Sequence, residues 1–221
     1  MTATATKLPV VILISGTGSN MLRLATLAQS GELAIEVKAV ISDRADAKGL
    51  SSAAQLGIAT ATLNPKQFSE RSEFDKALAE LVSSFNPQLV ILAGFMRILS
   101  GNFIQHFRDQ LLNIHPSLLP KYRGLHTHRR ALEAGDLEHG ASVHVVTEEL
   151  DGGPLIIQAR VPVLQGDDEA TLSARVLQQE HQIFPRAVEL FATGRLTCRN
   201  NLLLLDGQEL QQPLQVLNNS R

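Results

Sequence analysis

The sequence predicts an α/β protein in which helices flank a mostly parallel central sheet, with an antiparallel portion toward the C-terminus. Short unbroken aliphatic runs such as Val10–Ile14 and Leu89–Ala93 are typical of strands that are covered on both faces. Segments with helical spacing alternate with these runs, which is the pattern of consecutive β-α-β units. The 221 residues fit one domain, for which we expect a core over residues 8–206 and a peripheral tail over 207–221.

The first half of the chain supplies the parallel part of this prediction. Phe74, Leu78 and Val82 recur at helical spacing among charged residues, which predicts an amphipathic helix between residues 69 and 85. The predicted elements in order are a strand over 10–14, a helix through 22–27, a strand over 37–41, a helix over 47–56, a strand near 59–62, the helix at 69–85 and a strand over 89–93. Because strands and helices alternate, we expect these strands to run parallel.

The second half of the chain has a different pattern. Pro116 ends a strand there, since its ring forces the preceding residue into extended geometry. Later, Asp167 or Asp168 is placed to cap a long helix. The predicted elements are a strand over 111–115, a surface loop over 118–124, a helix over 128–134, two strands near 142–146 and 155–163 that can pair antiparallel, and a helix that reaches residue 191.

The composition excludes several classes of partner. The chain has 20 basic and 22 acidic side chains and a formal net charge of -2, so we expect no nucleic-acid partner. Cys198 is the only cysteine, which leaves no intramolecular disulfide and no cysteine-based zinc cluster. Residues 1–7 lack the apolar core of a signal peptide, and no apolar run approaches ~18 residues, so we expect a cytoplasmic protein without a membrane partner.

A glycine-rich loop, Ser15–Asn20, follows the first strand. Gly16 and Gly18 would let an anion approach the backbone amides at the start of the next helix. The loop lacks the third glycine of a dinucleotide fingerprint, because position 21 is Met, and it lacks the Gly-Lys-Ser/Thr of a Walker loop. We therefore expect it to bind a single phosphate on a small ligand. The alternative is a tight strand-to-helix turn without a ligand, with Asn20 as an ordinary helix cap.

Two polar side chains, Asn113 and His115, end a predicted buried strand. Residues two apart on a strand project to the same face, so these two should point together while Leu112 and Ile114 enter the core. At the carboxyl end of a parallel strand they would lie in the crevice where open α/β sheets bind ligands. A buried strand has little reason to carry two such side chains unless they act, so they are candidate catalytic residues.

Asp151 opens the segment Asp-Gly-Gly-Pro, whose glycines would let the backbone fold close to a ligand while presenting one carboxylate. A carboxylate beside His115 would favour the protonated form of that imidazole. The alternative role for Asp151 is a plain turn residue, which Asp-Gly usually is.

The remaining histidines are weaker candidates. Solvated or packing roles are expected for those in predicted helices or turns, which are His106, His139 and His181. We expect His144 to be a hydrogen-bonded core histidine, with a place beside the site as the alternative. His126 and His128 could form a metal pair, but no cysteine or Glu-x-x-His pattern supplies further ligands, so we expect no metal.

Five segments together carry a resemblance to a known family. They are Ile14–Asn20 (ISGTGSN), Leu92–Leu99 (LAGFMRIL), Leu112–Gly124 (LNIHPSLLPKYRG), Gly140–His144 (GASVH) and Glu149–Pro154 (ELDGGP). Over residues 10–206 the chain resembles the folate-dependent formyltransferase family, and the glycine loop narrows this to the branch that formylates glycinamide ribonucleotide. The family pattern more often has proline where this chain has Arg123.

The resemblance implies a Rossmann-like formyltransferase fold and an enzyme of purine synthesis. Its reaction would move the formyl group of 10-formyltetrahydrofolate to the amine of glycinamide ribonucleotide, with Asn113, His115 and Asp151 as catalytic residues. The implied acceptor site consists of Gly18, Ser19, Asn20 and Glu180, and the implied folate site consists of Arg71, Met96, Arg97, Ile98, Leu99 and Asn113. We expect direct transfer without a covalent formyl-enzyme, and a monomer or a homodimer.

Two other members of the family and one non-catalytic protein are alternatives. A methionyl-tRNA formyltransferase needs a separate basic C-terminal domain, and a formyltetrahydrofolate hydrolase needs an N-terminal regulatory domain. We expect neither in a chain of 221 residues. A sensor that binds a phosphorylated metabolite or a folate would explain the glycine loop, but not Asn113, His115 and Asp151 together.

Overall fold

The computed structural model describes residues 7–216, so most of the N-terminal stretch and the end of the predicted tail lie outside the described residues. The strands are β1 (Leu8–Ile14), β2 (Ile35–Ser42), β3 (Thr60–Thr62), β4 (Leu89–Leu92), β5 (Leu111–His115), β6 (Glu138–Val145), β7 (Leu155–Pro162), β8 (Leu196–Arg199), β9 (Leu202–Leu205), β10 (Gln208–Glu209) and β11 (Leu214–Val216). The helices are α1 (Ser19–Ser30), α2 (Lys48–Gln55), α3 (Arg71–Ser83), α4 (Gly101–His106), α5 (Thr127–Glu133) and α6 (Glu169–Ala192), with a 3₁₀ turn at Pro65–Gln67.

Eight of these strands form one twisted layer in the order β11-β7-β6-β5-β4-β1-β2-β3. The pairs that join β1, β2, β3, β4 and β5 are parallel, whereas β6 runs antiparallel to both β5 and β7. The predicted fold class, a mostly parallel sheet flanked by helices with an antiparallel portion, is therefore confirmed. β8, β9 and β10 form a separate small antiparallel sheet.

The strand β1 shows why the aliphatic runs fold as they do. Residues Val10–Ile14 are fully buried, and successive side chains enter different cores. Ile12 packs in a cluster with residues of α1 and α6, whereas Val11 and Leu13 pack in a cluster with residues of α3 and α4. Since helices cover both faces of the strand, polar residues are confined to its ends.

The long helix α6 begins where the sequence predicts, and the structure decides between the two candidate caps. Asp168 is the cap, because its Oδ1 accepts a hydrogen bond from the Thr171 N–H at 2.7 Å. Asp167 instead accepts from the Leu164 N–H at 2.8 Å and pairs with Arg175 at 2.6 Å. The Arg175 guanidinium lowers the pKa of Asp167 to about 2.

Some elements differ from the predictions. The helix α4 and the small sheet formed by β8, β9 and β10 do not appear in the sequence-based assignment. Part of the predicted tail, Leu214–Val216, forms β11 and pairs parallel with β7 at one edge of the large sheet. No helix within residues 7–216 is long and apolar enough to cross a membrane.

Candidate active site

Polar residues gather where the carboxyl ends of β1, β4 and β5 meet. From β1 the chain builds the sheet in one direction, through β2 to β3. It then returns to the other side of β1, where β4 pairs with it, so the strand order reverses between β1 and β4. Ligands of open α/β sheets bind in the crevice at such a point. Two hydrogen bonds join the strand ends here: the Ser15 N–H donates to the Gly94 carbonyl at 3.0 Å, and the Met96 N–H donates to Ser15 Oγ at 2.9 Å.

The glycine loop makes a close turn from β1 into α1. Gly18 begins the helix in a left-handed conformation with φ of 72°, so Asn20 is not the helix cap. A Cβ atom on Gly18 would lie 3.0 Å from Gly49 Cα, and the Gly49 N–H donates to the Gly16 carbonyl at 3.1 Å. The tight approach therefore requires glycine. The N–H groups of the first turn of α1 have no partner within the helix, which leaves donors at the crevice.

Asn20 and Glu180, both implied for the acceptor site, are in direct contact. Asn20 Nδ2 donates to Glu180 Oε2 at 2.6 Å, and each residue is only 8% exposed. Burial raises the pKa of Glu180, which the Asn20 hydrogen bond partly offsets. Asn20 Oδ1 is buried without a hydrogen-bond partner among the described residues. The pair thus joins the start of α1 to the middle of α6 beside the glycine loop.

The residues implied for folate binding form a loop after β4, but their side chains differ in exposure. Met96 and Ile98 are 71% and 61% exposed, whereas Leu99 is 6% exposed and packs with the core of α3 and α4. Large apolar side chains held at a cleft suit an aromatic ligand. Met96 and Ile98 can therefore present apolar surface to a ligand, while Leu99 anchors the loop.

Two arginines implied for folate binding hold the same loop in place. The Arg97 guanidinium lies 5.1 Å from the ring centroid of Phe74, and its Nη1 is 3.7 Å from Asp43 Oδ2. Arg71 donates to the Ile98 carbonyl. Both arginines are thus engaged with protein groups, although the Arg71 side chain remains 52% exposed.

Asn113 and His115 project from β5 to the same side, as their spacing predicts. Asn113 is half-buried and His115 is buried, while Leu112 and Ile114 belong to the hydrophobic core. The turn between β6 and β7 brings Asp151 to these two side chains, with its Oδ2 3.5 Å from His115 Nδ1. The structure therefore brings all three candidate catalytic residues together.

His115 is held between two oxygen atoms. Its Nε2–H donates to the Tyr122 carbonyl at 2.9 Å, and its Nδ1 faces Asp151. The Gly124 N–H donates to the same Asp151 oxygen at 2.8 Å. A protonated imidazole can donate on both sides in this arrangement, whereas a neutral one can satisfy only one side.

The Asp151 turn is folded tightly against the end of β6. Asp151 has φ of 47°, and the Val145 N–H donates to the Pro154 carbonyl at 3.0 Å. A Cβ atom on Gly153 would overlap the Val145 carbonyl oxygen, so only glycine permits this approach. The glycines of this segment thus bring the carboxylate within reach of β5.

His144 contributes to the site, although the sequence favours a core role for it. His144 Nδ1–H donates to the Val145 carbonyl at 3.0 Å, which leaves Nε2 to accept from Asn113 Nδ2 at 3.1 Å. Burial lowers the pKa of His144, in keeping with this neutral tautomer. The histidine therefore orients the Asn113 amide, whose second N–H stays available to a ligand.

The histidines suggested as a metal pair are used differently. His128 Nδ1 lies 3.2 Å from Nε2 of His139, which is 1% exposed and packs edge-on against the Tyr122 ring. Burial lowers the pKa of His139 to about 4, so this pair is neutral near pH 7. No group of three or more histidine, cysteine or acidic residues within 7–216 is arranged to hold a metal ion.

A shallow concavity of about 420 Å³ lies elsewhere, at the amino-terminal edge of the sheet between α1, β2 and α2. Its lining includes Lys7, Glu36 and Lys38 and contains no histidine. The cluster of Asn113, His115 and Asp151 therefore lies outside this concavity, at the carboxyl edge of the sheet.

Comparison with known proteins identifies the family of this chain. A family model described as formyl transferase matches residues 8–188. The chain is 53% identical over 201 residues to phosphoribosylglycinamide formyltransferase of Escherichia coli strain K12, an alignment that covers 91% of this chain and 95% of that protein. The enzyme of the same name from Haemophilus influenzae is 45% identical over the same shares of the two chains.

Solved structures give the same result. The phosphoribosylglycinamide formyltransferase of Coxiella burnetii superposes with a TM-score of 0.89 at 47% identity, covering 94% of this chain and 99% of that one. Glycinamide ribonucleotide transformylase 1 of Symbiobacterium toebii also gives a TM-score of 0.89, at 41% identity, and covers 93% of this chain and 97% of that one. The similarity thus extends over nearly the whole described structure.

Proposed function

The chain belongs to the formyl transferase family, and from that premise we propose that Asn113, His115 and Asp151 form its reaction centre. It is an enzyme that transfers the formyl group of 10-formyltetrahydrofolate to the amine of glycinamide ribonucleotide. The products are formylglycinamide ribonucleotide and tetrahydrofolate, in purine biosynthesis. The assignment of the residues is supported by one observation, the meeting of an amide, an imidazole and a carboxylate in the crevice of the sheet.

The first step is attack of the acceptor amine on the formyl carbon. A carbon–nitrogen bond forms, and the carbonyl oxygen becomes an oxyanion on a tetrahedral carbon. The free N–H of Asn113 and the imidazole of His115 stabilise that charge. One preorganised donor of this kind lowers the barrier by about 2.7 to 4 kcal/mol, and His144 holds the Asn113 amide ready to act.

The second requirement is proton transfer. The attacking nitrogen must lose a proton, and the leaving folate nitrogen must gain one as its bond to the formyl carbon breaks. Asp151, held by the Gly124 N–H, lies beside His115, and these two residues relay the proton between the nitrogens through water. A positioned acid-base group of this kind contributes about 10² to 10⁴ in rate. Because the centre contains neither serine nor cysteine, transfer is direct and forms no formylated protein.

The acceptor binds with its phosphate at the glycine loop. The free N–H groups around Gly18, Ser19 and Asn20 receive the anion at the positive end of α1. Glu180, fixed by Asn20, lies where it can accept hydrogen bonds from the ribose hydroxyls. This arrangement leaves the glycinamide end of the acceptor free to reach the reaction centre.

The folate lies along the loop after β4 and reaches Asn113. The exposed side chains of Met96 and Ile98 contact its ring system, while Leu99 and Arg97 keep the loop in shape. Arg71 holds the Ile98 carbonyl and offers its remaining N–H groups to the folate tail. The carboxylates of that tail are suitable partners for a guanidinium.

The assay that tests the proposed function follows absorbance during turnover of 10-formyltetrahydrofolate by purified protein, with and without glycinamide ribonucleotide. We expect loss of the formyl group only when the acceptor is present. Deformylation without the acceptor would identify a hydrolase instead. Binding of the acceptor or folate without any turnover would identify a non-catalytic sensor.

Several further properties belong to the same proposal. We place the enzyme in the cytoplasm as a single-domain monomer or homodimer, with a core over residues 8–206. We expect it to need no metal, since the Asn113 amide and the His115 imidazole supply the stabilising hydrogen-bond donors. Its partners are its two small substrates and not nucleic acid or a membrane.

A further inference from the structure

The backbone around Arg123 touches both members of the His115–Asp151 pair. The Tyr122 carbonyl, which accepts from His115, belongs to the peptide group before Arg123, and the Gly124 N–H, which donates to Asp151, belongs to the peptide group after it. A shift of this one residue would therefore move the partners of both catalytic groups together.

The side chain of Arg123 adds a second link between the same two segments. It forms an ion pair with Glu149, which lies two residues before Asp151. The Glu149 carbonyl accepts from the Gly152 N–H at 3.0 Å, so Glu149 is part of the turn that presents Asp151. The ion pair thus joins the turn at residues 149–152 to the segment at residues 122–124.

Both segments have backbone conformations that need support. Tyr122 has φ of 55° and Asp151 has φ of 47°, in the left-handed region that side-chain-bearing residues rarely adopt. Arg130 Nη1 donates to the Arg123 carbonyl at 2.7 Å, which fixes the 122–124 segment on its main chain. The Arg123–Glu149 pair therefore adds a contact between two side chains to the Gly124–Asp151 hydrogen bond that already joins this supported segment to the Asp151 turn.

We propose that Arg123 is a positioning residue that, through its ion pair with Glu149, sets the distance between His115 and Asp151. The consequence for catalysis rests on the proposed function of those two residues. Because the proposed positioning depends on an ion pair, the activity of this chain should be sensitive to salt.

The expected effect is small, because the two side chains are partly exposed, Arg123 by 37% and Glu149 by 62%. Loss of such a pair changes an equilibrium by about two- to fivefold. We therefore expect kcat of Arg123→Gln and of Glu149→Gln to fall by about two- to fivefold at low salt, with the KM for glycinamide ribonucleotide unchanged.

Exchanging the charges of Arg123 and Glu149 tests whether the ion pair itself is responsible for the loss of activity. Arg123→Glu alone places two like charges together and should reduce kcat more than Arg123→Gln does. The double variant Arg123→Glu/Glu149→Arg restores an ion pair of reversed polarity and should recover most of the loss. Added NaCl should lower kcat of the wild type toward that of Glu149→Gln. It should have little effect on kcat of Arg123→Gln and Glu149→Gln, which lack the ion pair.

Arg129→Gln is the matched control. It removes an exposed arginine six residues further along the chain, which pairs with Glu169 at 3.2 Å and joins α5 to α6. Its kcat and salt dependence should follow the wild type. Single variants that match the wild type at every salt concentration, or an exchanged pair no better than Arg123→Glu, would overturn the proposal.

A measurement without turnover keeps this test independent of the proposed function. Hydrogen exchange of the Gly124 amide, which is hydrogen-bonded to Asp151, should accelerate by about two- to fivefold in both Arg123→Gln and Glu149→Gln. Unchanged exchange would overturn the positioning role even if the enzyme proved inactive on glycinamide ribonucleotide. Inactivity of the wild type with altered exchange in the variants would instead overturn only the proposed function.

Discussion

At the scale of single residues, each polar side chain of the proposed reaction centre owes its orientation to another group. The Val145 carbonyl fixes the tautomer of His144, and His144 in turn fixes the amide of Asn113. His115 and Asp151 are held in the same way by main-chain groups. Removing a reacting group and removing the group that orients it should therefore leave different kinetic signatures.

Replacement of the proposed carboxylate gives the larger effect. Asp151→Asn keeps the size of the side chain but loses the charge beside His115. We expect kcat to fall by about 10² to 10⁴ while both substrates still bind. Steady-state kinetics combined with equilibrium binding of glycinamide ribonucleotide measures this. A variant that turned over normally would exclude Asp151 from the chemistry.

Replacement of the orienting histidine gives a smaller effect. His144→Leu leaves the Asn113 amide without its acceptor and should lower kcat by about tenfold, the value of one neutral hydrogen bond. His144→Gln retains an oxygen that can accept from Asn113 and should lose less activity. Equal losses in the two variants would show that His144 acts through packing alone.

The sequence predicts the orientation of a side chain when its position along one strand determines that orientation. It does not predict contacts that depend on how two strands pair. Asn113 and His115 are two apart on one strand, so their common direction follows from strand geometry. His144 faces Asn113 only because β6 pairs antiparallel with β5 in that register. A register between strands about thirty residues apart is a tertiary feature, and the sequence alone did not reveal it.

At the scale of elements, length decides which helices could be predicted. The long helix α6 has enough residues to display a helical period, whereas α4 spans only six residues, too few to show one. β9 consists of four leucines, which do not alternate. The sequence does contain one signal for the small sheet, the residue pair Asn200-Asn201 between β8 and β9. Both residues have positive φ, as a two-residue hairpin turn requires.

The cap of α6 offers a test of stability at this scale. Asp168→Ala removes the acceptor of the Thr171 N–H and should destabilise the fold by about 1 kcal/mol. For a chain of this size the Tm should fall by about 2 to 4 °C. Asp168→Asn, which can still cap, should lose little, and Asp46→Ala removes an exposed aspartate as a control. A Tm unchanged by Asp168→Ala would contradict the capping role.

At the scale of the whole molecule, the sequence predicts the α/β class but not the order of the strands. Alternating elements indicate parallel pairing, and the strands β1 to β7 could be placed in the chain from the sequence. The pairing of β1 with β4 joins residues about eighty apart, with two other strands between them in the chain. Such non-local pairing follows from the packing of the complete sheet, and it creates the crevice that holds the reaction centre.

Acid should weaken the whole fold between pH 6.5 and about 4. Burial lowers the pKa of His139 from its ordinary value of 6.5 to about 4. In this window the unfolded chain binds a proton at His139 and the folded chain does not, so stability decreases as the pH falls. The loss should amount to about 1 to 2 kcal/mol after screening by solvent. Thermal unfolding at a series of pH values measures it.

The variant His139→Gln isolates this contribution. The slope of Tm against pH should become flatter in this window, whatever the variant does to stability at neutral pH. His106→Gln, at an exposed histidine, should leave the slope unchanged. Asp167, with its pKa lowered to about 2, contributes only below its ordinary value of 3.8. Equal slopes for the wild type and His139→Gln would contradict the role of His139.

The short strand β11 has a consequence for the behaviour of the protein at high concentration. Leu214–Val216 pairs with Ile157–Ala159, so the main-chain donors and acceptors along that part of β7 are occupied. An uncovered strand of this kind, apolar and buried within the fold, is a template on which a second chain can add its own strand. Within residues 7–216, β11 occupies this edge with three residues, and the new edge that it presents there is too short to support such growth, which protects the sheet from self-association into aggregates.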